Sequence, residues 1–284
     1  MPNAFVTGAV MGQGLLLAQK LGKRGWRTFA GALPGQDLSA LKGSENVIVI
    51  EQDVSSTESV RESAKQVAKQ VGDEGLHLLI NNAGIANIAQ GFVEGMVLDE
   101  VERMFQVNTF GQLRNAHFML PLLRKADNPK ARIINFASGA IWVHPVGSGA
   151  YNMSKHAVHG LTMQLRSELA PFGIQATTVL PGGVKTNMTA NAHQTVNAVF
   201  DRMPPEVSAV YKPIFGETVL VKLPNMLEAM GNEPDYTTDK VLELLEIETW
   251  ATQYPVGKDI EPAGAMKDQM SETAFEGMLR QFGM

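Results

Sequence analysis

The chain has no cysteine among its 284 residues. That excludes disulfides, thiol nucleophiles and cysteine-ligated metals, and it accords with a reducing, cytoplasmic setting. No apolar run reaches about 18 residues, so no transmembrane helix is expected. Met1-Pro2-Asn3 lead straight into an apolar stretch, so no secretory signal is expected. Charge of one sign is also lacking: 24 basic against 29 acidic residues give a formal charge of −5, with no run of Lys or Arg. Neither nucleic acid nor an anionic membrane is therefore expected as a partner. What is present is ordinary for a folded soluble protein: 44% hydrophobic and 19% charged residues. A chain of this length buries roughly 75% of its unfolded surface, so one domain suffices. No internal repeat or low-complexity linker divides it.

Short apolar runs alternate with helical patterns over about the first 180 residues. Ala4-Phe5-Val6-Thr7, then glycines, then Leu15 to Leu21 read as strand, turn and helix. Further strands are expected near 27–32, 47–50, 76–80, 132–137 and 175–180. Helices are expected near 99–124, bent late by Pro121, and 149–170, ended by Pro171. Ser55 and Glu58 have capping-box spacing ahead of a helix whose apolar face is Val60, Ala64, Val67 and Val71. Such alternation predicts an α/β fold, a parallel sheet with helices on both faces. Beyond Leu180 the rhythm changes. Pro204-Pro205, Pro213 and Pro224 interrupt the helical segments, and eight of the fifteen methionines lie past residue 187. Met188, Met203, Met226 and Met230 either finish the core or form an adaptable apolar wall around a substrate.

Four constellations bear chemistry. Thr7-Gly8-Ala9-Val10-Met11-Gly12-Gln13-Gly14 joins the first strand to the first helix, where glycines let the backbone approach a pyrophosphate at the helix N-terminus. A tight turn would use the same residues. Asn81-Asn82-Ala83-Gly84 ends the fourth strand, on the side where open parallel sheets bind ligands. Tyr151 and Lys155, four apart, share a helical face. A cation beside a phenol stabilises the phenolate, although surface Tyr–Lys pairs are commonplace. Ser138, at the end of the fifth strand, precedes Tyr151 by 13 residues and offers a hydroxyl to a carbonyl oxygen, or merely a turn.

The ordered set TGAVMGQG, NNAG, QVNTFG, Ser138, YNMSK and PGGVKT, spanning about residues 3 to 188, resembles the short-chain dehydrogenase/reductase family. The resemblance implies a single Rossmann-type doubly wound sheet of about seven strands over residues 1–284, with residues 187–250 as a substrate-covering lobe. It implies a ketone–alcohol oxidoreductase that uses a nicotinamide cofactor and assembles as a homodimer or homotetramer. Tyr151 matches the catalytic acid/base, Lys155 the residue that binds the nicotinamide ribose and lowers the tyrosine pKa, Ser138 the substrate-orienting hydroxyl, and Asn108 the asparagine of the proton relay. Gly8, Gly12 and Gly14, with Thr7 and Met11, match the pyrophosphate turn. Asp53 and Val54 match the adenine side, and Asn81, Ala83 and Gly84 the adenosine ribose. Pro181, Gly182, Val184 and Thr186 match the nicotinamide side. Ala140, His144 and Met188 fall where the family lines its substrate pocket, and Trp142 is a candidate fence.

A finer resemblance, in Phe29-Ala30-Gly31-Ala32-Leu33 and Gln253-Tyr254-Pro255-Val256-Gly257-Lys258-Asp259, is to the retinol and hydroxysteroid dehydrogenase branch. It implies a bulky apolar substrate of steroid, retinoid or polyketide type. At Ala32 and Leu33, where the second strand ends, the chain departs from the pattern. It has neither the acidic residue that grips an NAD ribose nor a cation for the NADP phosphate, so NAD is the expected cofactor and NADP the alternative. His156 and His159 lie three apart without a third ligand in reach, and no metal is expected. The competing readings are a member of the same fold with non-redox or carbon–carbon double-bond chemistry, and a cofactor-binding regulatory protein.

Overall fold

The computed structural model describes residues 1–86, 91–127, 130–186, 199–222, 225, 229, 231–267 and 269–281. Seven strands form one parallel sheet: β1 Asn3–Val6, β2 Arg27–Ala32, β3 Val47–Glu51, β4 Leu78–Asn81, β5 Arg132–Phe136, β6 Gln175–Pro181 and β7 Gln253–Val256. Their spatial order is 3-2-1-4-5-6-7. The chain winds outward from β1 to β3, then returns to lay β4 against β1, with Ala4 beside Leu78 and Val6 beside Ile80. The crevice where the direction reverses, beyond the C-terminal ends of β1 and β4, is where open α/β sheets bind ligands.

Strand residues point alternately to two apolar layers. On one face Ala4, Val6, Leu78 and Ile80 pack with Leu17 and Leu21 of α1 (Gly12–Lys23), Val241 and Leu242 of the helix Pro234–Glu243, and Trp250. On the other, Phe5, Leu79 and Ile133 meet Val67 of α2 (Thr57–Val71), Met119 of α4 (Phe110–Leu123) and Leu165 of α6 (Gly149–Leu169).

The expected helix near 99–124 is two, α3 Leu98–Asn108 and α4, interrupted at Thr109. There the Thr109 hydroxyl donates to the Ser154 carbonyl at 2.9 Å, so the interruption is fastened to α6. The cap of α2 also differs from the expected one. Ser56, not Ser55, accepts the Ser59 N–H at 3.2 Å, because Ser55 donates its N–H and hydroxyl to the Asp53 carboxylate at 2.9 and 2.7 Å. α5 is the short Ala140–Val143. The described part of the lobe holds α7 Val199–Arg202, α8 Pro205–Glu217 and a π-helical turn Thr218–Lys222. Its own core is Phe92, Val199, Phe200, Met203, Val207 and Val219. Met203 is thus packed inside the lobe, against Gly95, and follows the core reading of the methionines. Met188, Met226 and Met230 lie outside the described residues. α9 is Pro234–Glu243, α10 Glu261–Lys267 and α11 Glu272–Gln281.

Candidate active site

The glycine turn between β1 and α1 is shaped by backbone conformations that side chains resist: Gly8 has φ +63° and Gly12 φ +55°. A Cβ at Gly14 would collide with the Gly8 carbonyl. Met11 precedes α1 without a side-chain cap, and no acidic residue occupies the first turn, so the helix N–H groups face the turn unopposed. Such a cradle of bare backbone at a helix N-terminus fits a dinucleotide pyrophosphate. The buried Thr7 hydroxyl accepts the N–H groups of Asn82 and Ala83, both at 2.9 Å, and Asn82 Nδ2 donates to the Thr7 carbonyl at 3.0 Å. The first two motifs are therefore one unit. Asn82 is the side chain that joins them, and its place in the motif gave no hint of that role.

The other predicted nucleotide contacts divide. Leu33 is 47% exposed at the end of β2, whereas Ala32 is buried at 1%. The Asp53 carboxylate shapes its own turn through Ser55, and Val54 packs against Gly111 of α4. Asn81 turns its side chain into the sheet. It donates to Asn135 Oδ1 at 2.8 Å, and Asn135 donates to the Thr162 hydroxyl at 2.9 Å, all three residues fully buried.

Ser138 follows β5, and its Oγ accepts the Ala140 N–H at 3.1 Å. The half-buried Tyr151, on the first turns of α6, comes close enough to the Ser138 hydroxyl for it to act on the phenol. One turn on, Lys155 is buried at 4% exposure and donates from Nζ to the Phe136 carbonyl at 2.9 Å, with Nζ 5.7 Å from the Tyr151 ring centroid. Gln112 Nε2 donates to the same carbonyl at 3.0 Å. Sequence reasoning passed over this residue, and its only sign was a glutamine on the buried face of α4. Asn108 uses its side chain to clamp Ile85: Oδ1 accepts the Ile85 N–H at 2.8 Å, and Nδ2 donates to the Ile85 carbonyl at 2.9 Å. A Cβ added to Gly84 would stand 3.2 Å from Asn108 Oδ1 and 3.4 Å from Lys155 Nζ, so these three converge behind Tyr151.

Electrostatics correct one expectation. Burial pushes the Tyr151 phenol above its ordinary pKa, with the Ser138 hydroxyl pulling the other way, rather than a neighbouring ammonium holding it down. Burial also brings Lys155 down to about 8. The phenol is a proton donor at neutral pH in this state.

Pro181 ends β6 beside Ser138, with Gly182 next, since Gly139 N–H donates to the Pro181 carbonyl at 2.8 Å. Val184 is buried, and Thr186 comes to the glycine turn: a Cβ on Gly12 would be 3.5 Å from Thr186 Cγ2. Ala140 opens α5 and His144 follows it. His144 has φ +44° and stacks on His156, with ring centroids 5.3 Å apart. Trp142 does not fence a substrate. It is buried at 7% with Ile141, Leu180 and Ile260, and it abuts Gly264 of α10. Met188 lies outside the described residues. His159 Nδ1 is 3.1 Å from the Thr178 hydroxyl. Among the described residues no group of three or more His, Cys, Asp or Glu side chains is placed to hold a metal.

The short chain dehydrogenase family model matches residues 2–197. Retinol dehydrogenase 7 of Rattus norvegicus is 31% identical over 259 residues, 90% of this chain and 80% of that protein. Estradiol 17-beta-dehydrogenase 2 of the same species is 31% identical over 242 residues, 82% of this chain and 61% of that one. Among solved structures, a short-chain dehydrogenase from Burkholderia cenocepacia in complex with NADP matches with a TM-score of 0.74 at 25% identity, covering 98% of this chain and 97% of that chain.

Proposed function

The chain belongs to the short chain dehydrogenase family, and from that premise we propose that Ser138, Tyr151 and Lys155 catalyse NAD(P)-dependent interconversion of a secondary alcohol and a ketone on a bulky apolar substrate. It is an NAD(P)-dependent oxidoreductase; the residue roles, the substrate size and the cofactor preference are our reading. The convergence of Ser138 and Lys155 on Tyr151 carries it. When bound, the nicotinamide supplies or accepts the hydride. The chain's own residues do the rest. Ser138 and Tyr151 hold the substrate oxygen, and Tyr151 exchanges a proton with it. Lys155 fixes a positive charge within reach of the phenol. Asn108 keeps Gly84 and Ile85 in place beside that ammonium. The backbone of Gly8, Gly12 and Gly14 holds the pyrophosphate, and that of 181–186 the nicotinamide end.

Substrate size is read from the lobe. Its core includes Val219 and packs against Val146, in the loop that enters α6 just before Tyr151. Apolar burial at about 25 cal/mol per Å² favours ring-containing or long-chain substrates there. Retinol and estradiol dehydrogenases among the relatives support this. The exposed Leu33, with no cation beside it in sequence, favours NAD over NADP. Phe110 and Leu113 of α4 and Met153 and Met163 of α6 are exposed apolar residues, and they support a dimer or tetramer. No described helix is long and apolar enough to cross a membrane.

Thermal shifts with the oxidised and reduced forms of both cofactors, followed by a ketone and alcohol panel, test this. We expect kcat/KM to rise from two- to four-carbon compounds to ring-containing ones. A panel led by a short hydroxy or keto acid overturns the substrate reading, and absence of any nicotinamide turnover overturns the whole.

A further inference from the structure

The segment after β7 grips the nicotinamide-side backbone with a side chain that the chemistry itself does not call for. Asp259 lies in the turn between β7 and α10. Its Oδ2 accepts the Gly183 N–H at 2.7 Å, and its Oδ1 accepts from Asn232 Nδ2 at 2.6 Å. Asn232 is buried at 5% and fully engaged: Nδ2 also donates to the Gly183 carbonyl at 2.9 Å, and Oδ1 accepts the Lys258 N–H at 2.7 Å. The orientation of that amide is therefore set from both ends. The backbone of Asn232 is tied to the same place, its N–H donating to the Gly183 carbonyl at 2.7 Å and its carbonyl accepting the Lys185 N–H at 2.9 Å.

Two glycines make room for the carboxylate. A Cβ on Gly182 would collide with both Asp259 oxygens. One on Gly257, which has φ +138°, would lie 2.6 Å from Oδ1 and 2.8 Å from Asn232 Nδ2. The next residue, Ile260, fills the space over Gly139, beside Ser138. Position also matters. Val184 pairs with Asn232 as an isolated parallel bridge, so the two ends of the segment between them meet at one point, and Asp259 sits on that point.

We propose that Asp259 is a positioning residue. Acting through Gly183 and Asn232, it fixes the backbone of 182–186 where the nicotinamide half of the cofactor is held, and it locks both stems of the substrate lobe to the sheet. The inference rests on the functional reading above.

Asp259→Asn is the discriminating change because it preserves volume. The new amide has one acceptor where two donors, Gly183 N–H and Asn232 Nδ2, must be met, so one contact becomes donor against donor.

Binding of the reduced cofactor and of ADP-ribose is measured by calorimetry on the full chain. Amide exchange of 182–186 is followed by mass spectrometry without cofactor. Expected for Asp259→Asn are at least tenfold weaker NAD(P)H, ADP-ribose within about twofold of wild type, and faster exchange at 182–186. Unchanged NAD(P)H affinity, equal loss of ADP-ribose, or unchanged exchange at 182–186 overturns the proposal. A wild-type chain that binds neither ligand sinks the functional reading and this inference with it, whereas a normal wild type with an indifferent Asp259→Asn sinks this inference alone.

Discussion

Replacing Lys155 with methionine should stabilise the cofactor-free protein while abolishing its turnover. The ammonium is buried at 4% exposure, and its pKa falls from 10.5 to about 8, with burial as the cause. At about 1.4 kcal/mol per pKa step, keeping the charge in the folded chain costs about 3 kcal/mol at any pH below 8. Above pH 8 the folded chain sheds the proton while the unfolded chain keeps it, so the cost fades with rising pH and is gone beyond 10.5. Methionine has similar length and no charge. The Phe136 carbonyl, which loses the Lys155 donor, retains Gln112 Nε2 at 3.0 Å, so the substitution leaves no orphaned acceptor. The expected gain at pH 7 is roughly 5–10 °C in Tm, narrowing steadily between pH 8 and 10. Urea or thermal unfolding of both proteins across pH 6.5 to 10, without cofactor, measures it, and titrations common to both cancel in the difference. A variant no more stable than wild type at pH 7, or a gap that ignores pH, refutes the reasoning.

Tyr151→Phe should lower kcat by about 10²–10⁴, the scale of lost general acid–base catalysis. NAD(P)H affinity should stay within a few-fold, because Lys155 is held by Phe136 and not by the phenol; steady-state kinetics and a binding titration decide both, and near-normal turnover removes Tyr151 from its role. Leu33→Arg should move the kcat/KM ratio toward NADP(H) at least tenfold, since that side chain is half exposed at the end of β2 and a guanidinium there meets a 2′-phosphate with charge-assisted hydrogen bonds. Ala32, buried at 1%, is the poorer site for the same charge, and Ala32→Arg should cost stability, read as a lower Tm, before it changes preference.

Several features of the site are local in sequence and so were legible there. The strand–glycine–helix turn, the four-residue step from Tyr151 to Lys155 and the Ser138 strand end each need only a few neighbouring residues to be recognised. The alternation of apolar runs with helical faces was enough for the parallel sheet, because the central strands β1, β4, β5 and β6 bury both sides. Each of them therefore reads as a short run without the polar alternation of a half-exposed strand. What stayed hidden depends on partners far along the chain. Periodicity runs straight through Thr109, and only the Ser154 carbonyl, 45 residues on, shows why the helix is interrupted there. Trp142 reads as a loop aromatic until Ile260 and Gly264 cover it. Ser55 has the capping-box spacing to Glu58, and only its bond to Asp53 shows why Ser56 caps instead.

The Tyr–Lys pair marks the limit most clearly, because spacing gives proximity but not the sign of a pKa. On an exposed helix the ammonium would hold the phenol down. Here α6 lies under β5 and β6, so desolvation acts on both groups at once, raising the phenol and lowering the amine. Both shifts favour the neutral species. The chain therefore rests with a protonated tyrosine beside Ser138, ready to donate, and next to an amine whose proton is only loosely held at physiological pH. In the direction of ketone reduction the phenol must give its proton to an oxygen that Ser138 also reaches, and the resting state already has it. In the direction of alcohol oxidation the phenol must first lose that proton, and Lys155 must be charged to steady the phenolate. A cation with a pKa near 8 and a phenol pushed above its ordinary value pull the pH optimum in opposite directions, so oxidation has a narrow window and reduction a broad one. Forward and reverse pH–rate profiles on a single substrate pair read this directly. A reduction rate that collapses below pH 7, or an oxidation rate flat from pH 6 to 10, contradicts the assignment of Tyr151 as the proton exchanger and of burial as the force that sets its pKa.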